Sequence, residues 1–242
     1  MPGTGAAPPP PEQAREIFAE RLPVAVRYAE LLATTGISHG LIGPRETGRL
    51  WERHLLNCAV VEVLCREDEQ VVDIGSGAGL PGVVLAIARP DLRLHLVEPL
   101  LRRTTWLEHA VAELGLDNVT VHRGRAEDVD LEAPVVTARA VASLDKLIRW
   151  GFPLLADEGR LLALKGEAAA AELEQARPVL RRHGVTQAQV HVLAEGTVAG
   201  PVRVVEIVRP AGGRDAGEAA DQPGPRRGRR GRPARRRRSS RP

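Results

Sequence analysis

Between residues 70 and 208 the sequence alternates short β-branched apolar runs with longer amphipathic ones, and few architectures accommodate that rhythm. The strand-like runs are Gln70–Ile74, Arg93–Glu98, Val119–Arg123, Val135–Arg139 and Arg160–Lys165. The helix-like runs between them are Pro81–Ala88, Leu101–Leu114, Leu144–Trp150 and Ala168–His183. A strand, a crossover helix and a second strand make a parallel pair, so the pattern predicts a parallel sheet with helices on both faces. Val190–Leu193 and Val202–Val208 follow with only a Gly196 and Gly200 loop between them, so this last pair should run antiparallel. The expected fold is therefore α/β, a mostly parallel seven-stranded sheet ending in an antiparallel hairpin. That final step differs from a dinucleotide-binding Rossmann fold.

Hydrophobic residues make up 43% of the 242 positions, but aromatics only 2%, so the core must be built from Val, Leu, Ala and Ile. No apolar run approaches the 18 residues or so of a membrane span. Residues 1–11 are rich in Pro, Ala and Gly, lack the charged-then-apolar order of a secretion signal, and are expected to be disordered. A cytoplasmic location is the corresponding expectation.

Residues 12–66 read as an N-terminal helical extension, 67–210 as the α/β domain and 211–242 as a disordered basic tail. In the extension, Ile17, Val24, Tyr28 and Leu31 share one stripe, with a break at Pro23 and a stop at Gly36. After a loop from Ile37 to Pro44, Glu46–Cys65 reads as a second amphipathic segment whose stripe is Leu50, His54, Cys58, Val61 and Cys65. His54 on that stripe fits a satisfied core or capping histidine. Two helical turns hold Cys58 and Cys65 roughly 10 Å apart, too far for a disulfide. The tail holds eleven arginines against Asp215, Glu218 and Asp221, a net +8, which leaves the rest of the chain at −5 within a total of +3. Such a run can grip a phosphate backbone without reading its sequence. It has too few apolar residues to fold.

The densest chemistry follows the first strand, in Asp73-Ile74-Gly75-Ser76-Gly77-Ala78-Gly79-Leu80-Pro81-Gly82. Glycines at this place let the chain turn sharply and a ligand approach the backbone. Gly77-x-Gly79-x-x-Gly82 formally matches a dinucleotide fingerprint, a weak signal alone. Gly75-x-Gly77-x-Gly79 preceded by Asp73 fits S-adenosylmethionine better, because a carboxylate suits an ammonium and a sulfonium and repels a pyrophosphate. Glu98, closing the second strand, is placed to accept both ribose hydroxyls of an adenosine. After the third strand, the Ala126 N–H and the Glu127 carboxylate could read the adenine edge. A mostly parallel sheet with these strand ends is the pattern of class I S-adenosylmethionine-dependent methyltransferases.

The fourth strand ends at Thr137-Ala138-Arg139-Ala140, without the Asn/Asp-Pro-Pro-aromatic motif of amino-group methylation on bases. Carbon-5 pyrimidine methylation needs a cysteine nucleophile, and both cysteines lie in the early helices. A guanine N7 is already nucleophilic and carries no proton, so alignment alone suffices. Arg139 then suits guanine O6, a phosphate or the cofactor carboxylate. Lys165, one of two lysines, ends the fifth strand on the same edge and is a candidate for substrate phosphate or base. No His/Cys/Asp cluster has metal-ligand spacing, so no metal is expected.

The segment from Asp73 to Gly82, the Arg125-Ala126-Glu127 turn, the Arg-Ala strand end at Arg139, Ala142-Ser143-Leu144 and Leu164-Lys165-Gly166 together resemble the RsmG family, also called GidB or glucose-inhibited division protein B. The resemblance covers roughly residues 12–210. It implies methyl transfer from S-adenosyl-L-methionine to N7 of the guanine at position 527, in the 530 loop of 16S ribosomal RNA. The small ribosomal subunit is the implied partner. It also implies cofactor contacts at Gly75, Leu80, Ala126, Glu127 and Arg139, to which the strand-end argument adds Gly77 and Glu98. The family's His-Ile-Leu-Asp-Ser stretch appears here as His54-Leu55-Leu56-Asn57-Cys58, and its Trp-Asn…Asn-Leu-Thr stretch is replaced within Ala33–Ile42. Two other function classes use the same features: an NAD-dependent oxidoreductase through the glycines, and a nonenzymatic RNA-binding protein through the tail.

Overall fold

The computed structural model describes residues 6–139 and 142–212; residues 1–5 and all of the basic tail beyond residue 212 lie outside the described residues. Seven strands form one sheet: β1 (Gln70–Ile74), β2 (Arg93–Glu98), β3 (Val119–Arg123), β4 (Ala133–Arg139), β5 (Leu155–Lys165), β6 (Ala188–Leu193) and β7 (Val202–Val208). Their order across the sheet is β3-β2-β1-β4-β5-β7-β6. The first five pair parallel, while β7 runs antiparallel to both β5 and β6. The parallel sheet and its antiparallel close are as the alternation predicted. Strands β4 and β5 begin earlier than their apolar runs because pairing of Ala133 with Leu155 extends both ladders.

Period-2 alternation divides the core. On one face, Val71, Leu94, Leu96, Leu162 and Val204 pack against the N-terminal segments and against α4 (Gly82–Ala88) and α5 (Leu101–Leu114). On the other, Val72, Ile74, Val97, Leu161 and Val205 pack against α6 (Leu144–Gly151) and α7 (Ala169–Arg182). Parallel strands bring the carboxyl ends of β1 to β5 to one edge, which is where their loops meet.

The N-terminal layer departs most from expectation. Helix α1 (Glu12–Phe18) ends in a 3₁₀ turn, Ala19–Arg21, and α2 (Leu22–Leu31) starts there with Pro23 in its first turn. The break thus precedes Pro23, which sits where its missing N–H costs nothing. Gly36 does not stop the helix: a π-helical stretch, Leu32–Gly36, carries it on to a turn at Gly40, φ +66°. The run 44–64 is continuously helical but irregular, with a 3₁₀ start at Pro44–Arg49, a π segment at Leu50–Leu56, the short α3 (Asn57–Ala59) and a 3₁₀ end at Val60–Leu64. π-bulges of this kind gather at functional sites. Residues 6–11, expected to be disordered, follow a defined path: the Trp51 indole donates to the Pro8 carbonyl oxygen at 2.7 Å. Cys58 and Cys65 are free and buried. Among the described residues no helix is long and apolar enough to cross a membrane.

Candidate active site

The loop after β1 is shaped by two different demands on glycine. Gly77 has φ +58°, a left-handed conformation that side chains resist. Gly82 is needed for space, since a Cβ there would lie 2.3 Å from Leu96 Cδ2 and 2.8 Å from Asp73 Oδ2. Gly82 also donates its N–H to Asp73 Oδ2 at 3.1 Å. Asp73 is fully buried beneath the loop, and burial pushes its carboxyl up to about 7. It therefore acts inside the protein, and the cationic-cofactor argument built on it in the sequence does not correspond to a contact in the crevice.

That crevice, about 740 Å³, opens at the carboxyl edge of the sheet. Gly75, Gly77, Leu80, Glu98, Ala126, Glu127 and Arg139 all line it, so seven residues from four strand ends converge on one volume. Its size falls within the usual range for small-molecule sites. Glu98 is buried, and its Oε2 accepts from the Gly77 N–H at 3.1 Å and from Arg103 at 3.4 Å, while Oε1 accepts from the Leu100 N–H at 3.1 Å. A carboxylate has about four accepting positions. One remains for a ribose hydroxyl in this arrangement, and a second opens if the long Arg103 contact is released. Ala126 starts a 3₁₀ turn, Ala126–Asp128, entered through an extended Arg125, so the first N–H groups of the turn have no partner within it.

Leu41, Ile42, Glu46 and His54 form another wall of the same crevice. The sequence pattern put Leu41 and Ile42 in a loop, Glu46 at the start of a helix and His54 on its apolar stripe. His54 is satisfied as expected, but its partners, Arg139 and Glu46, lie at the crevice. The available signal was the polar residue inside an otherwise apolar stripe. Lys165 stands apart from the crevice. Its ammonium donates to the Ala142 carbonyl oxygen at 2.7 Å and pairs with Glu172 at 2.8 Å, with 9% of the side chain exposed. Among the described residues, no group of three His, Cys, Asp or Glu side chains is placed to hold a metal ion.

This strand order, with its ligand crevice at the switch between β1 and β4, defines a class I S-adenosylmethionine-dependent methyltransferase. Among solved structures, the S-adenosylmethionine-dependent methyltransferase SibL in its apo form shares the fold, with a TM-score of 0.54 at 20% identity over 82% of this chain and 70% of that one. The TYW2 protein of M. jannaschii in complex with AdoMet matches at TM-score 0.50 and 19% identity, over 64% of this chain and 74% of that one.

The chain belongs to the GidB family, rRNA small subunit methyltransferase G, whose model matches residues 21–199. The ribosomal RNA small subunit methyltransferase G of Thermobifida fusca is 60% identical over 82% of this chain and 84% of its own length. That of Streptomyces avermitilis is 56% identical over 83% of this chain and 85% of its own.

Proposed function

We infer that this protein transfers a methyl group from S-adenosylmethionine to N7 of a guanine in 16S ribosomal RNA, on the small ribosomal subunit or a precursor of it. The observation that carries the reading is the convergence of Gly75, Gly77, Leu80, Glu98, Ala126, Glu127 and Arg139 on one crevice.

The residues present fit the cofactor. Glu98 offers a carboxylate to the ribose, and the start of the 126–128 turn offers N–H groups to the adenine edge. Leu80 supplies apolar cover, and the backbone at Gly75 and Gly77 supplies the close approach. When bound, S-adenosylmethionine supplies an electrophilic methyl carbon. The chain's own work is positioning. Guanine N7 has a free lone pair, so no side chain has to remove a proton, and the requirement is to hold N7 in line with the reacting bond. Arg139, at the end of β4, is placed to steer either guanine O6 or the cofactor carboxylate through charge-assisted hydrogen bonds. Lys165 supports this reading indirectly: it fixes the backbone at Ala142, three residues beyond Arg139. Action on ribosomal RNA supports a cytoplasmic location. The chain outside the tail carries −5, so the arginines of 212–242 are the natural element for approaching RNA.

The test is methylation of small-subunit RNA or particles from a strain lacking this protein, followed by mapping of the modified base. A methyl group at N7 of a guanine in the 530 loop is the expected result. Modification at another atom, or none, refutes the assignment.

A further inference from the structure

Arg139 ends a strand of the sheet, but the N-terminal layer holds its guanidinium. Nη1 donates to Cys58 Sγ at 3.1 Å, and Nη2 donates both to the Arg53 carbonyl oxygen at 2.9 Å and to His54 Nδ1 at 3.0 Å. The other ring nitrogen of His54, Nε2, lies 2.9 Å from Glu46 Oε2. A guanidinium can only donate, so His54 Nδ1 must present a lone pair. The ring proton then sits on Nε2 and points at the Glu46 carboxylate. The tautomer follows from the two partners. Three of the five guanidinium hydrogens are thereby committed, which leaves Nε–H and one Nη1 hydrogen without a partner among the described residues.

We propose that the Glu46–His54 pair is a positioning device for Arg139: the neutral imidazole holds the guanidinium at the crevice wall, and a second proton on the ring releases it. The proposal rests on the reading of Arg139 as a contact to cofactor or guanine. Partners that orient the ligands of a metal ion alter affinity or activity by about 10- to 100-fold when removed, and the same order is expected for a buried partner that orients Arg139.

The surroundings set the direction of the switch. Burial, and then the Arg139 charge, hold the His54 imidazole below its ordinary range, while the Glu46 hydrogen bond and charge pull the other way and Arg53 adds a further positive charge. Arg49 and Arg53 also face Glu46. Beyond Arg139 lie the Cys58 thiol, which burial pushes up and keeps neutral, and the buried Asp73 and Tyr28. At neutral pH His54 is therefore an acceptor. As pH falls through its lowered value, Nδ1 gains a hydrogen, and two donors and two positive charges face each other across the same 3.0 Å.

The experiment follows kcat/KM for ribosomal RNA methylation, and S-adenosylhomocysteine affinity, from pH 5 to 8 in the full-length wild type, His54→Asn and His54→Leu. An asparagine carbonyl oxygen can stand where Nδ1 stands and does not titrate. The wild type should lose activity or affinity by about tenfold across the acidic limb. His54→Asn should be more active than His54→Leu at pH 7.5 and lose the acidic limb, whereas His54→Leu should be low at every pH while still melting cooperatively. Nitrogen NMR of the wild-type ring should show a bare Nδ1 and a protonated Nε2 at pH 7.5. The opposite tautomer, or an unaltered pH profile in His54→Leu, overturns the proposal. Failure of the wild type to methylate ribosomal RNA would refute the functional reading instead, and the NMR titration would still decide the tautomer and its release.

Discussion

The Tyr28 hydroxyl donates to the Ala78 carbonyl oxygen at 2.6 Å. Tyr28 is on α2 of the N-terminal layer and Ala78 is in the loop after β1, so a buried hydrogen bond ties the helical layer to the cofactor loop. Together with the Arg139–His54 contact, it makes the layer part of the site's wall.

Replacing Tyr28 with Phe keeps the ring in its buried seat and removes only the hydroxyl. The Ala78 carbonyl oxygen then loses its buried hydroxyl donor, at a cost of about 1–3 kcal/mol. Denaturant melts should register that loss. Calorimetry should show weaker S-adenosylhomocysteine binding, because the loop is less well held. Unchanged affinity would mean that the layer does not steady the loop.

The two glycine roles separate experimentally. Gly82→Ala places a methyl 2.3 Å from Leu96 Cδ2, so the cost appears in stability, about 1–3 kcal/mol of overpacking. Gly77→Ala meets no atom closer than 3.8 Å and suffers mainly from its φ of +58°, worth about 1–2 kcal/mol. Its larger effect should fall on cofactor affinity, since relaxing that angle swings the Gly77 N–H away from Glu98.

Asp73 makes a pH-dependent contribution whose sign is unusual for a carboxylate. Burial raises its pKa from 3.8 to about 7, so between those values the folded state binds more protons than the unfolded state. Its contribution to stability therefore falls as pH rises through that window, and levels off above about 7. Asp73→Asn carries no such charge. The melting temperature of the variant relative to wild type should rise from pH 5 to pH 7 and then stay flat. A difference independent of pH would contradict the assignment.

Removing residues 212–242 takes away a net +8. Fewer phosphate contacts release fewer counterions, so the apparent KM for RNA should rise and its dependence on salt should flatten. S-adenosylhomocysteine affinity should not change. Identical kinetics with and without the tail would rule out a role in docking.

The boundaries of β1, β2, β3, β7 and α5 coincide with the apolar runs from which they were read, because alternation and helical period act over a few neighbouring residues. The same local logic placed Gly75, Glu98, Ala126 and Arg139 at strand ends, and parallel strands necessarily gather their ends at one edge. The N-terminal layer was less legible. Gly36 carries the usual mark of a helix stop, yet a π segment takes the helix past it, and the partners that satisfy His54, Glu46 and Arg139, are set by packing rather than by the stripe.

The sequence by itself determined the alternating elements, the α/β class and the set of residues at the sheet's carboxyl edge, since each depends on a pattern carried within one segment. The tertiary structure alone decided that Asp73 is buried beneath the loop, that Lys165 is occupied by Glu172 and the Ala142 carbonyl oxygen, and that Arg139 meets His54. The last contact joins positions 85 residues apart. Packing of one layer against another sets such a pairing, and no periodicity along the chain encodes it.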